Sequence, residues 1–315
     1  MLIFGPIPSR RLGRSLGINN IPPKSCSYSC VYCQVGPTRE TEITPRAFYA
    51  PEQIFEETRC HLQQVRKQGD HVDYLSFVPD GEPTLDTQLS DAIGLLRSLD
   101  VSIAIISNAS LIWREDIRKT LALADWVSLK VDAIDENIWR QINRPHPDLD
   151  HQKILDGMMQ FAADYKGILA TETMLVKNLN DSDEAATALA DFLQRLAPDR
   201  AYLSLPIRPP AVSDTHAPDE ATVNRFFQIV HQQIPFLELT GAYEGNAFGT
   251  TGNVMEDLLA ITSVHPMREE AVHAFLEKNH ADWTLIEQLI TDEKLMITDY
   301  EGIRFYIHRV PRNLE

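Results

Sequence analysis

The chain has 315 residues, 45 acidic against 29 basic, for a formal net charge of −16. That length allows one large α/β domain of about 250 residues with a small one beside it, and the acidic balance argues against a protein that grips a polyphosphate backbone, so DNA is not an expected partner. No apolar run approaches a membrane span and Met1 to Pro6 lacks the features of a signal peptide, which with only four cysteines predicts a cytoplasmic protein in a reducing compartment, with no membrane partner.

Residues 1–24 mix turn-formers with basic residues and end in a short apolar strand, Leu16 to Ile21, which Pro22-Pro23 breaks. No acid precedes Glu40, yet Arg10, Arg11, Arg14, Lys24 and Arg39 all fall in this stretch. They read either as ordinary surface charge or as a basic rim that draws in an anionic substrate.

Three of the four cysteines follow at once, Cys26, Cys30 and Cys33, spaced C-x3-C-x2-C. Three thiolates on one loop suit a multinuclear metal centre, because a tetrahedral structural zinc asks for four ligands, whereas an iron–sulfur cube held at three corners keeps one iron open. A zinc knuckle lacking a ligand and a redox thiol group are the rival readings. Cys60, in the polar stretch Glu56 to Leu62, reads as a buried filler or a bystander thiol.

Strand and helix patterns then alternate. A helix over Pro51 to Lys67 carries Ile54, Leu62 and Val65 on one face. Strands are predicted at Tyr74–Val78, Val101–Ile106, Trp126–Val131, Ile168–Val176 and Tyr202–Leu205. Helices are predicted at Leu85–Leu99, Arg114–Ala124, Glu136–Ile142, Gln152–Tyr165, Asp183–Leu196 and Glu220–Gln233. Such repetition predicts an α/β fold with a parallel sheet of six βα units, whose chemistry sits at the carboxyl ends of the strands.

The strand ends supply the candidate residues. Pro79-Asp80-Gly81-Glu82-Pro83-Thr84 is either a functional carboxylate turn or ordinary turn chemistry. Ser107-Asn108-Ala109-Ser110 suits a ribose or carboxylate ligand, or equally a helix N-cap. In Ser128-Leu129-Lys130-Val131-Asp132 the alternation turns Ser128, Lys130 and Asp132 to one side, which is costly unless they meet a ligand or each other. Glu172, Thr173 and Arg208 are weaker candidates. Arg144 lies on an Asn143-Arg144-Pro145 loop that would cover the site, and His146 reads as exposed or structural.

With Tyr32 just before the last cysteine, the C-x3-C-x2-C loop resembles the cluster motif of the radical S-adenosylmethionine (SAM) superfamily. Phe4 to Gly36, Gly81-Glu82-Pro83-Thr84 and Asn143-Arg144-Pro145 are similar to radical SAM proteins related to the wyosine tRNA-modifying synthase, over residues 1–240. The resemblance implies a partial (β/α)6 barrel with a [4Fe-4S] cluster on Cys26, Cys30 and Cys33. SAM would chelate the open iron, and an electron from a donor such as flavodoxin or ferredoxin would cleave it to a 5′-deoxyadenosyl radical. Asp80-Gly81-Glu82 then stands for the family's G-G-E, with Asp80 for the first glycine, and Tyr32, Gly81, Glu82, Asn108, Ser128, Lys130 and Glu172 help to hold SAM. One departure concerns the substrate: the synthase carries a second cysteine group, and here only Cys60 remains. A tRNA, a nucleotide or a peptide therefore all stay open, as do a peptide- or protein-modifying enzyme and a non-catalytic Fe–S or SAM-sensing regulator.

Beyond a glycine-rich linker or lid, residues 241–253, the pattern changes. Helices at Met255–Ile261 and Glu269–Lys278, a third opened by the capping box Thr284-Leu285-Ile286-Glu287, and a hairpin across Glu301-Gly302 resemble a winged helix over residues 254–315. From Thr250 onward twelve acids face six bases, so any nucleic-acid contact is confined to the Arg304, Arg309 and Arg312 side of the hairpin.

Overall fold

The computed structural model describes residues 2–240 and 248–309. The chain opens with an antiparallel pair, β1 (Ile3–Ser9) and β2 (Gly13–Ile18). There follow α1 (Pro51–Lys67), β3 (Tyr74–Phe77), α2 (Leu89–Leu96), β4 (Ser102–Ser107), α3 (Glu115–Leu121) and β5 (Trp126–Lys130). Next come α4 (Glu136–Asn143), α5 (His151–Asp164), β6 (Ile168–Met174), α6 (Asp183–Leu196), β7 (Arg200–Ser204), α7 (Glu220–Gln233) and β8 (Leu237–Leu239). These strands form one sheet in chain order, parallel from β2 to β8. The result is the mixed α/β, barrel-like architecture expected, with eight strands instead of six.

The two extra strands have physical reasons. Gly5, Pro6 and Pro8 argue against a strand by propensity, yet β1 is an edge strand bonded only to β2, where a missing N–H costs nothing, and a register shift between Phe4 and Ile7 absorbs the Gly5-Pro6 step. β8 is three residues long and gives no periodic signal. The expected Leu85–Leu99 helix is trimmed to α2 by 3-10 turns at Pro83–Leu85 and Arg97–Leu99. Four helices, α1, α6, α7 and a later one at Glu269–Lys278, keep the expected bounds.

Alternation along the strands sorts two layers. Leu16, Leu75, Phe77, Ile103, Ile105, Val127, Leu129, Leu169, Ala201 and Leu203 face the helices and build the main core. The opposite face lines a lumen. Its floor is plugged by the tip of the β1–β2 hairpin, where Leu12 packs among Ala104, Trp126, Ala170 and Tyr202.

The C-terminal unit comprises α8 (Val254–Val264), β9 (Met267–Arg268), α9 (Glu269–Lys278), α10 (Thr284–Thr291), β10 (Leu295–Tyr300) and β11 (Ile303–His308), with a small antiparallel sheet in the order β10-β11-β9. The expected capping box is not used: the N-cap of α10 is Trp283, with no side-chain cap bond. Of the expected linker, residues 241–247 lie outside the described residues, but Phe248 is fully buried and Gly249 N–H donates to the Pro6 carbonyl at 2.7 Å. The second core joins this unit to the sheet, because Phe4 and Ile7 of β1 pack with Phe248, Leu258, Ile261, Phe275 and Tyr306. The edge strand that β1 would otherwise expose is thereby covered.

Phe4→Ala should cost about 3–5 kcal/mol of stability, as deleting a buried phenylalanine does. Hydrogen exchange should rise in α8 well before it rises in α5. Equal protection of both helices in the variant would show that Phe4 does not couple the C-terminal unit to the sheet.

Candidate active site

The cysteine loop follows β2 and is clamped by backbone hydrogen bonds from two directions. On one side Lys24 N–H donates to the Asp80 carbonyl at 2.7 Å and Glu82 N–H donates to the Ser25 carbonyl at 2.9 Å. A Cβ on Gly81 would land on the Ser25 carbonyl oxygen, so only glycine lets the 80–82 turn lie this close. On the other side Ser29 N–H donates to the Asn143 carbonyl at 3.0 Å and Val31 N–H to the Ile142 carbonyl at 2.9 Å. These amides satisfy carbonyls that the C-terminal end of α4 would leave open. His146 N–H adds a bond to the Ser27 carbonyl at 2.9 Å.

Several expected site residues serve this clamp. Glu82 is fully buried, and its carboxylate accepts from Thr84 N–H at 3.1 Å, the Thr84 hydroxyl at 2.6 Å, the Ser107 hydroxyl at 2.7 Å and Asn108 N–H at 2.7 Å. It braces the end of β3 to the end of β4. Asn108 is also engaged: its Oδ1 accepts from Ser110 N–H at 2.9 Å, and its Nδ2 donates to the Ser27 hydroxyl at 2.9 Å and towards the Cys26 Sγ at 3.6 Å. It caps the turn and faces a cysteine instead of an open ribose site. The first position of the turn is the one that faces open space. Asp80 is 7% exposed, and its Oδ1 has no hydrogen-bond partner among the described residues. Burial pushes its carboxyl up to about 7 against the pull of Lys24.

The lumen holds a charge network on the inner faces of β5 and β6. Glu172 is ion-paired with Arg11, reached from the hairpin tip, accepts from the Ser204 hydroxyl at 2.8 Å and lies 3.8 Å from the Lys130 ammonium. Lys130 is 3.9 Å from Asp132 and 4.9 Å from the centre of the Tyr32 ring. Burial works to raise the Glu172 carboxyl, but the Arg11 guanidinium and Lys130 hold it down to about 2. Burial works to lower Lys130, and Glu172 and Asp132 overcome it, so the ammonium is held above its usual range. The expected Lys130–Asp132 pair is thus part of a larger arrangement. Asp132 accepts from the Tyr32 hydroxyl, from Asn143 Nδ2 at 2.7 Å and from Met174 N–H at 2.8 Å. The sequence marks Asn143 only as part of the Asn143-Arg144-Pro145 loop; the folded chain turns its side chain to Asp132 and Cys30. Ser128 is fully buried, and its hydroxyl has no partner among the described residues.

A cleft of about 160 Å³ runs from Asp80 and Arg11 to the C-terminal unit, which supplies Val264 and His265 to its wall. Gln34, next to Cys33, fastens that wall: its Nε2 donates to the Val264 carbonyl at 2.8 Å, and its Oε1 accepts from Arg208 at 2.9 Å. Arg208 also lies 3.4 Å from His265 Nε2, and burial, then this guanidinium, keep the imidazole well below its usual range and neutral. Tyr300 donates to the Pro206 and Thr215 carbonyls at 3.0 and 3.1 Å, tying the small sheet to the loop after β7.

Other candidates fall outside the lumen. Arg144 is exposed, Thr173 donates to the Val131 carbonyl at 2.7 Å, and His146 is 3.9 Å from Asp148. The basic residues of the first 40 positions do not make one rim. Arg11 enters the lumen, whereas Arg14 bonds Asp70 at 2.5 Å at the opposite end of the strands. Cys60 is exposed, so the buried-filler reading is corrected. On the small sheet Arg304 lies 3.5 Å from Glu269 and Arg309 3.2 Å from Glu293, while Arg312 is outside the described residues.

The donor set suits a soft metal centre. Burial pushes the Cys30 thiol up to about 12 and raises Cys26 further, so these sulfurs need a cationic partner to become thiolates. Among the described residues, no three His, Cys, Asp or Glu side chains close on a point where one metal ion would sit. A cluster instead takes each thiolate on a different iron. Orphaned buried oxygens at Asp80 and Ser128 add unsatisfied positions that a polar ligand would fill.

Residues 20–190, more than half of the chain, match the model of the Radical SAM superfamily. The chain belongs to that superfamily. It is 47% identical to the UPF0026 protein MJ1312 of Methanocaldococcus jannaschii over 98% of this chain and 96% of that one. It is also 27% identical to an S-adenosylmethionine-dependent nucleotide dehydratase of Flammeovirga pacifica, over 60% of this chain and 65% of the relative. Among solved structures, TYW1 with a lysine-pyruvate adduct bound superposes with a TM-score of 0.54 at 16% identity, covering 70% of this chain and 73% of that one, and shares the fold. As a radical SAM enzyme the protein uses a [4Fe-4S] cluster and SAM and needs a reductant. No helix among the described residues is long and apolar enough to cross a membrane.

Two measurements probe this geometry. Glu172→Gln leaves Arg11 and Lys130 without their carboxylate and should cost roughly 3 kcal/mol, lowering Tm by about 5–12 °C near neutral pH. Because the carboxyl is held lower in the folded than in the unfolded chain, its contribution is full above 4.5 and lost as pH falls towards about 2. The gap in Tm between wild type and variant should therefore narrow across that window, and a gap independent of pH would remove the ion pair as its cause. Gly81→Ala should displace the cysteine loop and lower iron uptake on anaerobic reconstitution. Wild-type iron content in this variant would mean the close approach to Ser25 is dispensable.

Proposed function

We propose that this enzyme reductively cleaves SAM and uses the resulting 5′-deoxyadenosyl radical to abstract hydrogen from its substrate, with Cys26, Cys30 and Cys33 holding the [4Fe-4S] cluster. The observation that carries this reading is the cysteine loop itself: three thiols clamped between the 80–82 turn and the end of α4, with Cys30 beside the Lys130 and Asp132 charges of the lumen. When bound, the cluster supplies the electron that breaks the sulfonium bond, and the chain supplies orientation and exclusion of water.

The residues divide that work. Among the described residues Asp80 and Ser128 offer unsatisfied oxygens to a polar ligand, and Lys130 offers an ammonium whose ion pairs, at 3.8 and 3.9 Å, are long. These three suit the amino, hydroxyl and carboxylate groups of SAM. Glu172 and Tyr32 hold Lys130 in position, while Gly81, Glu82 and Asn108 hold the loop that carries the cysteines. Leu12 and the C-terminal wall close the lumen on two sides and shield a reactive species from solvent.

For the substrate we favour a nucleotide, free or within tRNA, on the likeness to a nucleotide dehydratase. The reading divides the chain into a barrel over 1–240, a connection over 241–253 and a winged-helix-like unit over 254–315. That division is supported by the order helix, strand, two helices, hairpin, and by a second hydrophobic core. The ion pairs of Arg304 and Arg309 speak against a broad nucleic-acid face on this unit. The electron donor is a flavodoxin or ferredoxin in the cytoplasm, where an oxygen-sensitive cluster is maintained.

Anaerobic protein given dithionite and SAM should release 5′-deoxyadenosine, measured by chromatography, and Cys30→Ala should release none. Equal release from both, or none from iron-loaded wild type, overturns the proposal.

A further inference from the structure

Each of the three clustered cysteines receives one side-chain N–H donor, and each donor comes from a different part of the fold. Asn108 Nδ2, beyond the end of β4, points at Cys26 Sγ at 3.6 Å. Asn143 Nδ2, on the last residue of α4, points at Cys30 Sγ at 3.4 Å. Lys24 Nζ, in the loop after β2, points at Cys33 Sγ at 3.5 Å. Sequence spacing gives no hint of this arrangement, since the donors lie 82, 113 and 9 positions from their sulfurs.

The donors are fixed from behind. The Asn108 amide is held by Ser110 N–H on its oxygen and by the Ser27 hydroxyl on its nitrogen. Asn143 is 2% exposed, and its Nδ2 also bonds Asp132. Lys24 is anchored by the Gly36 carbonyl. Their surroundings carry the opposite sign, because Glu82 acts on Cys26, and Asp132 on Cys30, as nearby negative charges. An N–H dipole aimed at sulfur offsets those charges, and does so strongly where water is excluded.

We propose that Lys24, Asn108 and Asn143 form a set of one donor per sulfur that raises the reduction potential of the cluster, with Lys24 contributing most because it brings a full charge. This rests on the reading that Cys26, Cys30 and Cys33 hold a [4Fe-4S] cluster. Reduction adds one electron to the cluster, drawn from dithionite in the test, and a donor bonded to sulfur stabilises the added negative charge in the reduced form. All three are positioning residues, since they act on the cluster through its cysteines.

The test is a potentiometric titration followed by electron paramagnetic resonance, on anaerobically reconstituted protein without SAM, with iron content measured on every sample. Lys24→Met should make the cluster about tenfold harder to reduce at a given potential, a shift of about 59 mV to lower potential for one electron. Lys24→Arg should restore the wild-type value, and Asn143→Leu should shift the potential in the same direction by less. Should Lys24→Met fail to load iron, Lys24→Gln takes its place with a smaller downward shift expected. Iron-loaded variants at Lys24 and Asn143 that titrate at or above the wild-type potential overturn the donor set while leaving the cluster in place. Wild-type protein that takes up no iron overturns the cluster reading itself.

Discussion

Everything at the mouth of the lumen depends on the contact between Gly81 and the Ser25 carbonyl oxygen. No side chain fits there, and the two hydrogen bonds flanking it, from Lys24 to Asp80 and from Glu82 to Ser25, zip the turn after β3 onto the cysteine loop. Once that seam is closed, Glu82 is committed to Thr84, Ser107 and Asn108, so the ends of β3 and β4 and the cysteine loop become one rigid piece. The end of α4 then closes the other flank by lending its terminal carbonyls. The loop with three sulfurs is held by its neighbours' backbone and by Tyr28, which is buried in the main core and accepts from Trp139 Nε1 at 3.3 Å.

The lumen follows a second logic, charge compensation among largely buried groups. Two cations, Arg11 and Lys130, and two carboxylates, Glu172 and Asp132, meet across the inner faces of β5 and β6, and Arg11 arrives from a hairpin tip that also plugs the floor. Such groups are costly to bury singly and tolerable as a set. The arrangement leaves Lys130 at the longer end of its ion pairs, so it holds position without being used up.

Much of the architecture was legible from periodicity. Helices such as Asp183–Leu196 and Glu220–Gln233 carry a full apolar stripe, begin after Ser182 or Asp219 as capping residues, and emerge with the bounds their pattern implies. β1 was not legible because its prolines and glycine contradict strand propensity, and only pairing with β2 on one side makes them harmless. In the site, the spacing of the cysteines is plain in the sequence, whereas the bonds by which Glu82 braces two strand ends are not. A carboxylate at a strand end reads the same in sequence whether its oxygens are spent on Thr84 and Ser107 or left open. Asp80 shows the converse: its unsatisfied oxygen is visible only in the folded chain. Asn143 is marked in the sequence only as part of the Asn143-Arg144-Pro145 stretch, because nothing local distinguishes a helix-terminal asparagine whose side chain reaches a cysteine from one that merely ends a helix.

The union of β1 with the C-terminal core has a consequence for biogenesis. Phe4 and Ile7 leave the ribosome well before their packing partners Phe248, Leu258, Phe275 and Tyr306, which are synthesised some 240 positions or more later. Until those partners have been made, β1 has a naked outer flank, and the parallel sheet must assemble beside an unguarded edge. Co-translational folding of this molecule can therefore complete its parallel centre before β1 finds the unit that covers it.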